Sequence, residues 1–212
     1  DGMSGGHVMT PKYSGLQIIN RKVIIRFLHN LLRHDMESAP IKILGTEEKV
    51  SHTFTFNING EETDIRMGGY IDRLDMSGGK IRVIDYKTGS RQQKELKSND
   101  DIFDASKIES HTDYYLQTLL YADIIAADKS INPMSLPVTP QLFFVQKMSS
   151  RDFSPSLVIN GAEIDDAQDI AKEYIEGLQR LLADILNPEL PFAPTSRTAT
   201  CLTCPLSQIC RT

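Results

Sequence analysis

The sequence predicts an α/β domain with a mixed central β-sheet flanked by helices. Three observations predict it. Apolar residues recur at helical spacing or at alternate positions in the order helix, three strands, helix, two strands, helix. The chain of 212 residues has a length that suits a single domain, 1–212. Its composition, 40% hydrophobic and 24% charged, is typical of a globular fold.

The first half of the chain predicts one helix followed by an antiparallel meander. Ile24, Leu28 and Leu31 recur at helical spacing within 16–36. Strands with alternating apolar residues are predicted at 47–58, 64–75 and 80–86. Asn59 with Gly60, and the Ser-Gly-Gly run at 77–79, are the turn signals between them.

The second half predicts two helices and two short strands. Residues 88–108 are polar and aperiodic, which indicates a surface loop. The predicted elements are a helix at 113–128, a buried strand at 141–146, an edge strand at 157–159 and a helix at 164–186. Pro137 and Pro140 are assigned to the connection before the buried strand.

Charge and cysteine content narrow the class of protein. The net charge of -5 argues against a chain that is basic throughout, although a local basic surface remains compatible with nucleic-acid binding. No apolar run approaches the ~20 residues of a membrane helix, so we expect no membrane partner. The three Cys lie near the C-terminus, which favours a metal site in a reducing compartment and a cytoplasmic location.

Asp85 and Lys87 are the strongest catalytic candidates. They lie two residues apart on a predicted strand, so their side chains share a face. Asp72 lies across a short hairpin, where facing residues approach within about 5 Å. Two carboxylates beside one ammonium group suit a site in which a divalent cation offsets the repulsion between the acids. A surface hairpin with a simple salt bridge is the alternative reading of such a pattern.

Longer motifs around these residues resemble a known family. Gly-Tyr-Ile-Asp-Arg-Leu-Asp at 69–75 and Val-Ile-Asp-Tyr-Lys-Thr-Gly at 83–89 resemble motifs II and III of the PD-(D/E)xK nucleases of the RecB/AddB branch. The helix that begins at 113 carries Gln117 and Tyr121 four residues apart, which resembles the third hallmark of that branch. The resemblance implies a restriction-endonuclease-like core.

The resemblance also implies roles for individual residues. Asp72 and Asp85 would bind Mg²⁺ or Mn²⁺, with the backbone carbonyl of Tyr86 as a further ligand, and Lys87 would be the catalytic lysine. Gln117 and Tyr121 would position the site or the DNA strand.

The family places one more acidic residue at the start of the strand before motif II, and two residues compete for this role. Glu47 has the expected spacing after a turn predicted at 44–45. Glu48 instead lies at an alternate position to Val50, so it would share the apolar face of the strand. We favour Glu47. His7, His29 and His34 do not match the histidine pattern of the family, and we interpret them as structural or surface residues.

The tail at 196–212 carries Cys201, Cys204 and Cys210. Their spacing resembles the tail of AddB-type iron–sulfur nucleases, in which three such thiolates and one distant upstream Cys hold a [4Fe–4S] cluster. This chain has no fourth Cys. We therefore expect an unoccupied tail here and a cluster in a longer protein of which this chain is the C-terminal nuclease segment. A zinc site is the other metal interpretation.

The leading hypothesis is a metal-dependent DNA exonuclease that acts on single-stranded ends within a helicase–nuclease for double-strand break repair, beside a partner subunit. A non-catalytic DNA-binding scaffold that retains the fold is the first alternative. A restriction or junction-cleaving nuclease is the second.

Overall fold

The structure, a computed structural model, describes residues 14–89, 94–191, 201–202 and 204–210. A four-stranded sheet in the order β1-β2-β3-β4 forms its centre. Its strands are β1 (Ile41–Ile58), β2 (Glu61–Ser77), β3 (Lys80–Lys87) and β4 (Val138–Phe144). The long helices are α1 (Gly15–Glu37), α2 (Thr112–Ala127) and α3 (Ala171–Leu186), and a small hairpin joins β5 (Val158–Ile159) to β6 (Ala162–Glu163).

The central sheet is mixed, as the sequence predicts. β1, β2 and β3 form an antiparallel meander, and β4 pairs with β3 in parallel. The parallel connection needs a crossover segment, and α2 supplies it. The predicted α/β fold class is therefore confirmed.

Two apolar layers cover the two faces of the sheet. On one face, α2 contacts all four strands and α3 packs against β1, which creates the main core around Leu74, Val83 and Leu142. On the other face, Leu31 of α1 packs against a smaller cluster that contains Ile84 and Phe143. Each of the two layers removes apolar surface from water, which is the dominant driving force for folding.

Helix α1 contributes little to the core beyond its C-terminal part. Its N-cap Ser14 accepts a hydrogen bond from the backbone amide of Gln17, whose side chain in turn accepts from the Ser14 amide. Apolar residues in its first half, such as Leu16 and Ile19, are exposed. None of the helices in the described part of the chain is both long and apolar enough to cross a membrane.

Several element boundaries differ from the sequence prediction. β1 begins at Ile41 rather than 47, so the turn predicted at 44–45 is wrong, and a register irregularity lies between Ile43 and Gly45 instead. β4 begins at Val138 and includes Pro140, which the prediction left in a loop. Because β4 is an edge strand of the central sheet, a residue without an N–H is tolerated there.

The segment predicted as a surface loop is partly buried. It contains short 3₁₀ helices at Asn99–Phe103 and Ala105–Ser110, and Leu96 and Ile102 belong to the core. Helix α3 starts at Ala171 rather than 164, because a separate 3₁₀ turn, Ala167–Ile170, follows the capping residue Asp166.

Candidate active site

The β2–β3 hairpin places two carboxylates side by side. Its loop has only two residues, Gly78 and Gly79, both with positive φ (59° and 79°), as a tight hairpin turn requires. This turn sets a register in which Arg73 pairs with Ile84, so that Asp72 and Asp85 come next to each other one step further along. The amide of Tyr86 donates a 2.7 Å hydrogen bond to Asp72 Oδ2, which fixes the first carboxylate against β3.

Asp85 is buried, and burial raises its pKa. The charge of Asp72 acts in the same direction, whereas the ammonium group of Lys87 opposes it. Asp85 Oδ2 lies 2.6 Å from Lys87 Nζ, and no other donor in the described residues reaches this oxygen. The contact is therefore an ion pair, and the oxygen keeps the capacity to accept a further ligand.

Lys87 ends β3 with its ammonium group held on three sides. Besides Asp85, Nζ donates a 3.3 Å hydrogen bond to Gln117 Oε1 and lies 4.2 Å from the centre of the Tyr114 ring. The backbone is fixed as well, because the Lys87 carbonyl accepts a 3.1 Å hydrogen bond from the amide of Val145, just beyond β4. Both ends of this residue are thus tied to neighbouring elements.

Helix α2 completes the site from above the sheet. Tyr114, Gln117 and Tyr121 recur at spacings of three and four, so they share one face of the helix. Gln117 Nε2 donates to the Tyr121 hydroxyl at 3.3 Å. That hydroxyl lies against Gly69 of β2, where an added Cβ would come within 2.2 Å of it. Gly69 therefore makes room for Tyr121.

A buried ion cluster supports the hairpin on the other side. Asp75 is fully buried between two guanidinium groups, at 2.6 Å from Arg73 and 2.6 Å from Arg82. Arg73 also pairs with Asp35 of α1 at 2.8 Å and donates to the Tyr86 hydroxyl at 3.3 Å. Although burial opposes it, these hydrogen bonds and the charge of Asp75 raise the pKa of Arg73, so the guanidinium is charged. The cluster joins α1, β2 and β3.

Glu47, the residue favoured as the further acid of the family, lies outside the contacts of this site in the described residues. Glu47 is exposed with a φ of 52° between Thr46, which pairs with Arg73, and Glu48, which pairs with Ile71. It is therefore level with Asp72 along the sheet. No hydrogen bond or ion pair joins it to the site within the described residues, and its role stays a prediction. The Tyr86 carbonyl also stays a predicted ligand.

His29 and His34 both lie on α1 and take no part in the contacts of this site. His29 is exposed on α1, and His7 lies outside the described residues. The His34 ring packs edge-on against Phe143 at 4.9 Å, on the face of the sheet that α1 covers. Burial, with the charge of Arg82, lowers the pKa of His34 and favours its neutral form.

The cysteine tail is described only in part. Cys201 and Cys204 are half-buried, Cys210 is exposed in a helical turn at Ser207–Cys210, and all three are free thiols. No group of three or more His, Cys, Asp or Glu side chains in the described ranges is arranged to hold a metal ion. Within those ranges, neither the three Cys nor the carboxylates form such a group.

Comparison with protein families agrees with this geometry. The family model of the PD-(D/E)XK nuclease superfamily matches residues 6–211, nearly the whole chain. The chain belongs to the PD-(D/E)XK nuclease superfamily. Comparison with curated proteins gives no significant match. The superfamily match supports nuclease activity in general and does not distinguish the AddB-like branch.

Nucleases of this superfamily usually use Mg²⁺ or a similar divalent cation. The residues present fit such an ion. Mg²⁺ prefers hard oxygen ligands and is commonly held by one or two carboxylates, with water and substrate oxygens as its other ligands. Asp72 and Asp85 provide two adjacent carboxylates, and the buried Oδ2 of Asp85 has only the Lys87 ammonium as a partner in the described residues. A third protein carboxylate is not required for this mode of binding.

Sequence reasoning missed some residues that shape this site. Tyr114 is three residues before Gln117 and was detectable by helical spacing, but an aromatic residue at such a position is usually read as core. Arg73 and Asp75 lie two residues apart on β2 and therefore share a face, but only the hairpin register places Arg82 next to them. The function of Gly69 depends on a contact with a helix more than fifty residues away, which no local pattern reveals.

Proposed function

We propose that this chain is a Mg²⁺- or Mn²⁺-dependent DNA exonuclease that hydrolyses phosphodiester bonds at single-stranded ends. The observation that carries the proposal is the meeting of Asp72, Asp85 and Lys87 on the face of the sheet below α2. This is the arrangement of acids and lysine expected for phosphodiester hydrolysis.

Each residue has a defined task in this reaction. Asp72 and Asp85 would hold the cation, which, when bound, lowers the pKa of a water molecule and offsets charge on the phosphate. Lys87 Nζ lies 2.6 Å from Asp85, where it can orient the attacking water and stabilise negative charge that develops on phosphate oxygens. Gln117 holds the lysine through its amide oxygen.

The finer assignment rests on the sequence motifs. The Gln117–Tyr121 pair on α2 and the Cys201, Cys204 and Cys210 spacing support an AddB/RecB-like helicase–nuclease in double-strand break repair, with a partner subunit. The same spacing supports a [4Fe–4S] cluster whose fourth Cys is supplied from outside this chain. Both belong to the proposal.

Cleavage of labelled linear single-stranded DNA in the presence of Mg²⁺ tests the activity. We expect Lys87→Ala and Asp85→Asn each to lower the rate at least about a hundredfold, because both remove groups that act on the reacting phosphate. Lys172→Ala is the matched control, since Lys172 is exposed on α3 away from the site. Equal rates for Lys87→Ala and the wild type would refute the role of Lys87.

Two further measurements separate the alternatives. An exonuclease needs a DNA end. If circular single-stranded DNA is cleaved as fast as linear DNA, the enzyme is an endonuclease. Calorimetric titration with Mn²⁺ tests the scaffold alternative: binding that Asp72→Asn weakens supports the enzyme, and absence of binding to the wild type supports the scaffold.

A further inference from the structure

Tyr114 and His111 extend the site in a direction that the motifs do not describe. The Lys87 ammonium lies over the face of the Tyr114 ring, 4.2 Å from its centre. On Tyr114, the imidazole of His111 stacks nearly parallel, with 4.5 Å between ring centres and 5° between planes. Lysine, phenol and imidazole therefore form one continuous assembly at the start of α2.

We propose that Tyr114, supported by His111, is a positioning residue that fixes the ammonium group of Lys87 for phosphodiester hydrolysis. Its catalytic consequence rests on the proposed nuclease function, whereas the contact itself does not. A cation over an aromatic face is attracted by the ring quadrupole, and this attraction increases where water is excluded. Lys87 meets that condition, because its side chain is 16% exposed.

The need for such a contact follows from the chemistry of Asp85. A lysine side chain has much rotamer entropy, so its ammonium group stays in one place only if several contacts hold it. The ion pair with Asp85 is the shortest of them, at 2.6 Å. If Asp85 also binds a divalent cation, its carboxylate is shared between that cation and Lys87. The Tyr114 ring and the Gln117 amide oxygen are uncharged anchors that do not compete for the cation.

The placement of His111 explains why the ring keeps its orientation. His111 is the N-cap of α2, with a left-handed φ of 58° and no side-chain capping bond. Histidine is among the residues found more often in this conformation. Its ring is thereby directed onto Tyr114 rather than back to the helix amides. Tyr114 thus contacts both Lys87 and His111, with Phe144 tilted beside it at 6.1 Å.

Tyr114→Phe and Tyr114→Leu form the matched pair that tests this inference. Phenylalanine keeps the aromatic face, whereas leucine keeps an apolar side chain without it. We expect the leucine variant to lose roughly threefold to thirtyfold in kcat, with KM for DNA within about twofold of wild type. The phenylalanine variant should stay within about twofold of wild type in both constants. His111→Asn, which tolerates the left-handed backbone, should lower kcat by less than Tyr114→Leu.

A readout without turnover is the NMR chemical shift of the Lys87 ε-protons, which the ring current moves upfield when they lie over an aromatic face. We expect this shift in the wild type and in Tyr114→Phe, and its loss in Tyr114→Leu. Cleavage by the wild type together with loss of cleavage in Lys87→Ala would support the nuclease function. If the nuclease function holds, three results would overturn the positioning role. They are an unchanged kcat in Tyr114→Leu, equal losses of kcat in Tyr114→Leu and Tyr114→Phe, and a change in KM alone. A wild type without activity refutes the nuclease function instead, and the ε-proton shifts still test where the ammonium lies.

Discussion

Tyr121 reaches the sheet only because residue 69 has no side chain. The hydroxyl that accepts a hydrogen bond from Gln117 is the same atom that an added Cβ at Gly69 would approach within 2.2 Å. The Tyr121 ring is 7% exposed and belongs to the core, so it cannot swing into solvent to avoid the clash. A single methyl group at this point would disturb the whole row from Tyr121 through Gln117 to Lys87.

We expect Gly69→Ala to lower nuclease activity at least about tenfold and to destabilise the fold by about 1–3 kcal/mol, because overpacking displaces the Tyr121 ring. Cleavage assays and thermal unfolding measure the two effects. Gly15→Ala is the control, since nothing lies within 4 Å of a Cβ there. If Tyr121→Phe in the Gly69→Ala background recovers none of the lost stability, the clash is not the cause.

At the scale of elements, the β2–β3 hairpin holds both carboxylates of the candidate site. One of its faces presents Asp72 and Asp85, and the opposite face holds Asp75 between Arg73 and Arg82. Because adjacent residues of a strand point to opposite sides, Arg73 anchors the backbone next to Asp72 without entering the site. The pair with Asp35 extends this anchor to α1.

We expect Asp75→Ala to destabilise the protein by about 3–5 kcal/mol, because it leaves two buried guanidinium groups without their shared carboxylate. Urea unfolding measures this loss. Asp165→Ala is the comparison, since it removes the exposed partner of Lys80 and should cost at most about 1 kcal/mol. Similar losses for the two variants would mean that the buried cluster contributes no more than a surface pair.

Sequence periodicity predicted the elements whose patterns are local. The helices at 16–36 and 113–128 and the two hairpins are confirmed, although β1 begins at 41 rather than 47. The prediction of a surface loop at 88–108 was wrong because Leu96 and Ile102 are buried individually, and no sequence period indicates their burial. Pro140 misled the boundary of β4, because a strand pattern does not say which strand lies at an edge.

For the candidate site as well, the sequence predicted only the arrangement that depends on local patterns. A period of two places Asp85 and Lys87 on one face, and a two-residue Gly-Gly turn sets Asp72 beside Asp85. The contacts of Lys87 with α2 and of Gly69 with Tyr121 depend on how a distant helix crosses the sheet. Packing of that kind is a property of the folded molecule and not of any segment.

For the whole molecule, stability depends on a carboxyl group between α2 and the 3₁₀ turn before α3. Burial raises the pKa of Asp123 to about 7, although Gln168 donates a 3.1 Å hydrogen bond to it. Its other oxygen is buried without a hydrogen-bond donor in the described residues. The folded form therefore keeps a proton that the unfolded chain releases near pH 4.

Because the folded-state pKa is the higher one, this group's contribution is complete below about pH 4 and is lost as pH rises through 7. The loss amounts to at most about 4 kcal/mol. We expect Asp123→Asn, a neutral mimic of the protonated form, to raise the unfolding temperature relative to wild type at pH 8 more than at pH 5. Asp184→Asn on the exposed side of α3 is the control. An equal effect of Asp123→Asn at both pH values would contradict the raised pKa.

The close contact between Gly69 and Tyr121 also limits how this sequence can diverge over evolutionary time. Any lineage that gains a side chain at position 69 must reduce or redirect the one at position 121, and the reverse change opens space that a larger residue at 69 can fill. The two positions, one on a strand and one on a helix, should therefore be inherited as a pair. Descendants that have lost the glycine but kept the tyrosine should be absent or inactive.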